Sequence, residues 1–237
     1  MLDQQIKRMI RIRDPADPLE YVRKMANDLA YEKLCSAIES CKDCSIACGN
    51  KTFPSGRLDA PIVVISESAC IEQLKDNHSY AQAGSKEKSI FDFFLERYGI
   101  APDNFFYVNT VNCPPLRNTE SGEMVPRTPS SQEVNNCRVF MDYALKIVQP
   151  KMLILLGAVA LNVFKKGSIS QERGEVFTVN NIPALATYHP DYFTKMAGKK
   201  DPDLIDECKL DFEEDLLKAF RHFEKIYKTT IIRKGEI

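Results

Sequence analysis

The chain has 237 residues, a formal net charge of −1 at pH 7 and 44% hydrophobic residues. That length and apolar content suffice for one substantial core. The near-neutral charge argues against a bulk polyelectrolyte partner but leaves room for a local basic groove. No apolar run approaches the length that a membrane span requires, and the chain carries neither an internal repeat nor a low-complexity tract.

Asp17-Pro18 reads as an N-cap and first helical position, opening a helix through Tyr21, Met25, Leu29 and Leu34. A close cysteine pair follows, then a polar loop from Gly49 to Asp59. Pro61 to Ile65 is a fully apolar, strand-sized run, and a helix is predicted from Lys86 to Tyr98 with Ile90, Phe94 and Leu95 on one face. Phe105 to Asn109 is a second strand. Ser131 is set to cap a helix carrying Val134, Val139, Tyr143 and Ile147 up to the stop at Pro150. Met152 to Leu156 is a third strand, and Gly157-Ala158 opens a helix to Phe164. Glu175 to Val179 and Pro183 to Thr187 read as further strands, and an amphipathic helix runs from about Leu204 to Tyr227. Strand alternating with helix is the pattern of an α/β fold with a parallel sheet covered on both faces. Ligands of such sheets sit outside the carboxyl ends of the strands. Here those ends are Ser66-Glu67, Asn109 to Cys113, Gly157, and Tyr188-His189-Pro190.

Four of the eight cysteines stand out: Cys41 and Cys44 in a C-x-x-C, and Cys113 and Cys137 as distant singles. Two thiolates on one turn with two more from remote positions suit either a 4Fe–4S cluster or a structural zinc. Buried free thiols are the plainer use of cysteine. A polar N-terminus without a secretory pattern points to a reducing, cytoplasmic compartment (bacterial or viral-host), where a C-x-x-C is more often metal-binding or redox-active than a disulfide. A rival local set, Cys35, Cys41, Cys44 and Cys48, is equally compatible with spacing alone.

Asn109-Thr110-Val111-Asn112-Cys113-Pro114-Pro115, then Arg127-Thr128-Pro129 with Glu133 and Cys137, resemble the family-four uracil-DNA glycosylases. The likeness continues in family order through Leu155-Leu156-Gly157-Ala158, Arg173-Gly174 and Thr187-Tyr188-His189-Pro190-Asp191-Tyr192, from Cys41 to Phe193. It implies a three-layer α/β/α sandwich around a mostly parallel four-stranded sheet, and a 4Fe–4S cluster on Cys41, Cys44, Cys113 and Cys137. It also implies a helical extension over residues 1–40, a glycosylase-like domain over 41–228 and a tail over 229–237.

The resemblance assigns roles that chemistry supports. Asn109 matches the family's uracil-reading asparagine, and a carboxamide offers an acceptor and two donors to the N3–H and O4 of the base. His189 matches the motif histidine, a donor for the negative charge that builds on the departing base. Glu67 matches the glutamate of the family's Gly-Glu-Ala-Pro-Gly loop and would face the cationic sugar. That loop here reads Ser66-Glu67-Ser68-Ala69-Cys70, without its glycines and proline, so positive φ is less accessible. Tyr80 stands near the family's uracil-stacking aromatic, although a gapless alignment on Ala83-Gly84 puts Ser79 there. Asn118 to Val125 is an insertion, and Lys195, Lys199 and Lys200 are placed to meet phosphates.

Three readings follow. The first is a glycosylase that excises uracil, or a related pyrimidine, from single- or double-stranded DNA. The second is a catalytically weakened relative that binds DNA or a replication or repair partner and keeps the cluster. The third is a redox iron–sulfur or zinc module, disfavoured because no flavin- or nicotinamide-type glycine motif is present. Retention of Asn109, His189 and Glu67 favours the first.

Overall fold

The computed structural model describes residues 18–46, 51–68, 86–198 and 201–235. In chain order these form α1 (Pro18–Ser40), β1 (Ser55–Gly56), β2 (Ile62–Ser68), α2 (Lys86–Arg97), β3 (Phe105–Val111), β4 (Leu116–Asn118), β5 (Met124–Pro126) and α3 (Ser131–Val148). There follow β6 (Met152–Leu156), α4 (Gly157–Phe164), α5 (Ile169–Glu172), β7 (Val176–Val179), β8 (Ile182–Thr187), α6 (Asp191–Met196) and α7 (Pro202–Tyr227). The main sheet has the order β1-β3-β2-β6-β8-β7. Its centre, β3-β2-β6-β8, is parallel throughout, which is the four-stranded sheet expected. The difference is at the edges, where β1 and β7 add antiparallel strands to give six. β1 is only two residues long, too short to leave a periodicity in the sequence.

Alternation along the strands divides the interior into two cores. Ile62, Val64, Phe105, Tyr107, Ile154 and Leu185 face α2, α6 and α7, where Phe94, Phe193, Phe212 and Phe220 meet them. Val63, Ile65, Phe106, Val108, Leu153 and Leu155 face α1, α3 and α4. A strand apolar on both faces is what a sheet covered by helices on both sides demands. The α3 cap is Ser130 rather than Ser131: its hydroxyl accepts from the Glu133 N–H while Glu133 accepts from the Ser130 N–H. Two adjacent serines hide which one caps, and only the glutamate three positions on decides. The buried face of α3 is Cys137, Met141, Ala144, Ile147 and Val148, whereas Val139 and Tyr143 point to solvent. On α1 likewise, Leu34 and Ile38 are buried, and Tyr21, Met25 and Leu29 are exposed. The inserted segment forms the β4–β5 hairpin. No described helix is long and apolar enough to cross a membrane.

A buried ion pair ties the far end of the sheet to α7. Asp215, with no exposed surface, accepts from Arg173 Nε (2.9 Å), Arg173 Nη2 (3.1 Å) and Thr187 Oγ1 (2.8 Å). Gly174 makes the close approach possible: at φ +73° it has no Cβ, and one there would lie 2.4 Å from Asp215 Oδ1. Burial pushes the Asp215 carboxyl up, against the pull of Thr187 and Arg173, so the pair depends on its partners being in place. Arg173→Met should therefore cost about 3–5 kcal/mol by leaving a buried carboxylate unpaired. Urea unfolding checks this: the midpoint should fall with the slope unchanged, and a loss below about 1 kcal/mol would contradict it.

Candidate active site and cysteine centre

The polar side chains gather at the carboxyl edge of the parallel strands. Ser66 on β2 and Asn109 on β3 are register partners, so both side chains leave the same face of the sheet. Both are 1% exposed. His189 follows β8 and reaches back across β6, its Nε2 lying 2.8 Å from Ser66 Oγ. Its other nitrogen, Nδ1, accepts the Asp191 N–H at 3.1 Å. That bond leaves the ring proton on Nε2, so Nε2–H donates to Ser66. Burial pulls the imidazole pKa down to about 4, with Lys195 pulling the same way and Asp191 opposing. The ring is thus a neutral donor at physiological pH.

Gly157 makes room for this ring. It begins α4 at φ +85°, and a Cβ there would sit 3.0 Å from His189 Cβ. The Leu-Leu-Gly segment thus has a spatial cause: only glycine lets the end of β6 turn beneath the histidine.

Asn109 is held from behind. Its Nδ2 donates to Thr52 Oγ1 (3.1 Å), and Thr52 is itself pinned to the Asn112 carbonyl through its N–H (2.8 Å) and hydroxyl (3.2 Å). Asn109 Oδ1 is buried with no hydrogen-bond partner. An unpaired buried acceptor costs about 1–3 kcal/mol, and at the carboxyl end of a parallel sheet it marks where a ligand donor is wanted.

Glu67 is the penultimate residue of β2, next to Ser66 and partly buried. Burial raises its carboxyl above the ordinary range, Lys195 lowers it and Asp191 raises it, so Glu67, Asp191 and Lys195 form one charged group. Thr110 Oγ1 donates to the Glu67 carbonyl and fixes the turn. The strand stays extended through Ser68, and none of Ser66, Glu67 and Ser68 adopts a positive φ, so the backbone at Ser66 does not require the family's glycine. Lys195 is exposed and ion-paired with Asp191 four residues earlier. Tyr80, Lys199 and Lys200 lie outside the described residues.

The four singled-out cysteines lie close enough to act on one another electrostatically. Cys113 follows β3, Cys137 sits on the buried face of α3, and Asn136 Nδ2 donates to the Asp43 carbonyl (2.8 Å), docking the C-x-x-C turn on α3. Burial and mutual charge push Cys113 up to about 12, with Cys137, Cys44 and Cys41 all contributing. Cys137 is raised to about 11, again by burial first and by Cys41 and Cys44. Cys35 instead pairs with Tyr31 on α1. Lys51 caps the end of α1, donating to the carbonyls of Glu39 (2.8 Å) and Cys41. Among the described residues no three such side chains are already arranged to hold a metal ion. The donor set fits in kind, since converging thiolates that repel one another are what a bound cation relieves.

Bidentate Arg127–Glu133 contacts (2.8 and 2.6 Å) hold the β4–β5 hairpin to the start of α3 and depress the Glu133 carboxyl to about 2. Thr52, Ser66 and the Asp191 N–H escaped the sequence reading as site groups. Ser66 had a signal, as a hydroxyl where the family has glycine. Thr52 had none.

A buried carboxamide with a free acceptor, beside a neutral histidine at the open edge of a parallel α/β/α sheet, defines a site for a planar polar ligand. The family model for the uracil DNA glycosylase superfamily matches residues 53–213, and the chain belongs to that superfamily. Among its relatives is the type-4 uracil-DNA glycosylase of Thermotoga maritima, 25% identical over 181 residues, which are 74% of this chain and 86% of the relative. The type-4 enzyme of Sulfurisphaera tokodaii is 26% identical over 197 residues (78% and 83%). That of Archaeoglobus fulgidus is 23% identical over 189 residues (75% and 87%).

The histidine geometry is testable without any substrate. Nitrogen-15 NMR at pH 7 should show His189 neutral with its proton on Nε2, remaining so until the pH approaches 4. A titration centred near the ordinary value of about 6.5 would contradict the arrangement.

Proposed function

We propose that the protein is a hydrolase that removes uracil, or a closely related pyrimidine, from DNA. The observation that carries this is the buried, unpartnered Oδ1 of Asn109. A uracil ring presents an N3–H donor to such an acceptor. Cytosine presents a lone pair at the same position, and two facing acceptors repel. The spare hydrogen on Asn109 Nδ2 suits O4, where cytosine carries an amino donor. A base in a strand must be turned out of the stack to reach this edge.

Cleavage breaks the bond between C1′ and N1, the electron pair leaving with the base. Water then adds to C1′, and its proton ends on the base or in solvent. Negative charge on the departing ring calls for fixed donors, and the His189–Ser66 pair supplies them without solvent reorganisation. Positive charge on the sugar calls for a carboxylate, the role of Glu67. Its burial makes its negative charge costly alone and favourable beside a cation. Nothing in the site or in the relatives favours a weakened, non-catalytic reading or a dedicated protein partner.

Cys41, Cys44, Cys113 and Cys137 would hold the 4Fe–4S cluster implied by the family resemblance. The cluster would cross-link the end of α1, the end of β3 and α3. Glycosidic hydrolysis is redox-neutral, so its part there is structural. Protein purified without oxygen should carry about four irons per chain, retained in Cys35→Ser and lost in Cys113→Ser. Stoichiometric zinc without iron would contradict this.

The function is tested by single-turnover excision from a uracil-containing oligonucleotide, scored as alkali-labile sites. The parent should act. His189→Ala should lose on the order of 10²–10³ in rate with DNA affinity kept. Asn109→Ala should lose rate and discrimination against cytosine together, and Glu67→Gln, which keeps shape but not charge, should lose rate alone. A parent that leaves both single- and double-stranded substrates intact would overturn the proposal.

A further inference from the structure

The family loop has glycine where this chain has Ser66, and that hydroxyl stands between His189 and the pocket. We propose that Ser66 Oγ–H is the group that touches the oxygen of the departing base and that His189 acts through it, as a positioning and polarising residue. The inference rests on the glycosylase reading above and changes which atom meets the substrate.

Three observations carry it. First, the Nδ1 contact with the Asp191 N–H places the imidazole proton on Nε2, so in the 2.8 Å contact the ring donates and Ser66 Oγ accepts. Second, a hydroxyl that accepts still has its own hydrogen to give, and among the described residues no acceptor takes it. Third, Ser66 and Asn109 are register partners on adjacent parallel strands, roughly 4.8 Å apart by sheet geometry, with side chains on one face. An unspent buried donor therefore stands beside the unspent acceptor Asn109 Oδ1. Together they match an imide edge, whose carbonyl and N–H lie on neighbouring atoms. In this arrangement Nε2–H faces Ser66 Oγ and Nδ1 faces the Asp191 N–H, so the histidine's contact with the base runs through Ser66.

A chain of hydrogen bonds polarises along its length, so donation from Nε2–H makes the Ser66 hydrogen a better donor. As the C1′–N1 bond breaks and the pair moves onto the base, the ring oxygen gains charge and the Ser66 hydrogen bond to it strengthens. No proton need leave His189. The histidine remains neutral throughout, consistent with its buried, uncharged state.

The test is a two-residue cycle on the intact protein with one uracil oligonucleotide under single-turnover conditions. Ser66→Ala and Ser66→Gly should each lose on the order of 10²–10³ in rate, as for one anion-stabilising donor. Ser66→Thr, which keeps the hydroxyl, should stay within about tenfold of the parent. The double variant Ser66→Ala/His189→Ala should be no more than about threefold slower than Ser66→Ala, because the two act in series. In the substrate-free protein, Ser66→Ala should also shift the His189 Nε2–H resonance, a readout independent of catalysis. An active parent with Ser66→Ala or Ser66→Gly equally fast or faster would overturn the relay while leaving the glycosylase reading intact. An inactive parent would overturn the reading itself. Thermal unfolding of each variant shows that a slow rate is not a folding loss, and a slow, folded Ser66→Ala with an unmoved Nε2–H resonance would also overturn the relay.

Discussion

The contact between Ser66 Oγ and His189 Nε2 joins the ends of two strands that are not neighbours, β2 and β8, across the end of β6. Gly157 leaves room for the ring, and the Asp191 N–H orients it. The sheet beneath is apolar on both faces, so its strands are fixed by packing. The polar groups appear only where the strands stop. A buried polar side chain in such surroundings is costly unless paired, and among the described residues three side-chain atoms are buried without a partner: Ser55 Oγ, Asn109 Oδ1 and Asn112 Oδ1. Of these, Asn109 Oδ1 belongs to the residue that is the register partner of Ser66.

Rigidity comes from two directions. On the β8 side, the Arg173–Asp215–Thr187 cluster holds the strand end two residues before His189, and Gly174 lets it close. On the β3 side, Thr52 pins Asn109 and is itself fixed to the Asn112 carbonyl, next to Cys113. Cys113 and Asn109 thus share a short segment of chain. A cross-link at Cys113, such as the proposed cluster, would stiffen Asn109 through the backbone it sits on without taking part in the chemistry.

The sequence made the sheet legible because its four parallel strands are apolar runs punctuated by Pro, Gly and Asn. The periodicity of α3 was misleading: Val139 and Tyr143 continue a plausible stripe but face outward, and burial runs through Cys137, Met141 and Ala144 instead. Edge strand β1 was illegible because two residues show no alternation. The placement of Asn109, Glu67 and His189 at strand ends was legible through motif order, since each sits in a distinctive context. The hydroxyl of Ser66 and the N–H of Asp191 were not. Their meaning lies in contacts with His189, one of them across 123 positions of sequence, which no local pattern encodes.

The central claim is that Asn109 Oδ1 and the His189–Ser66 donors form one pocket for the imide edge of a flipped pyrimidine. Titrating the protein with free uracil while following the Asn109 side-chain amide and the His189 Nε2–H by NMR tests this most directly. The account predicts that uracil shifts both resonances together and that cytosine, which lacks the N3–H, shifts neither. Equal responses to the two bases, or a uracil response confined to residues away from Asn109, would contradict it.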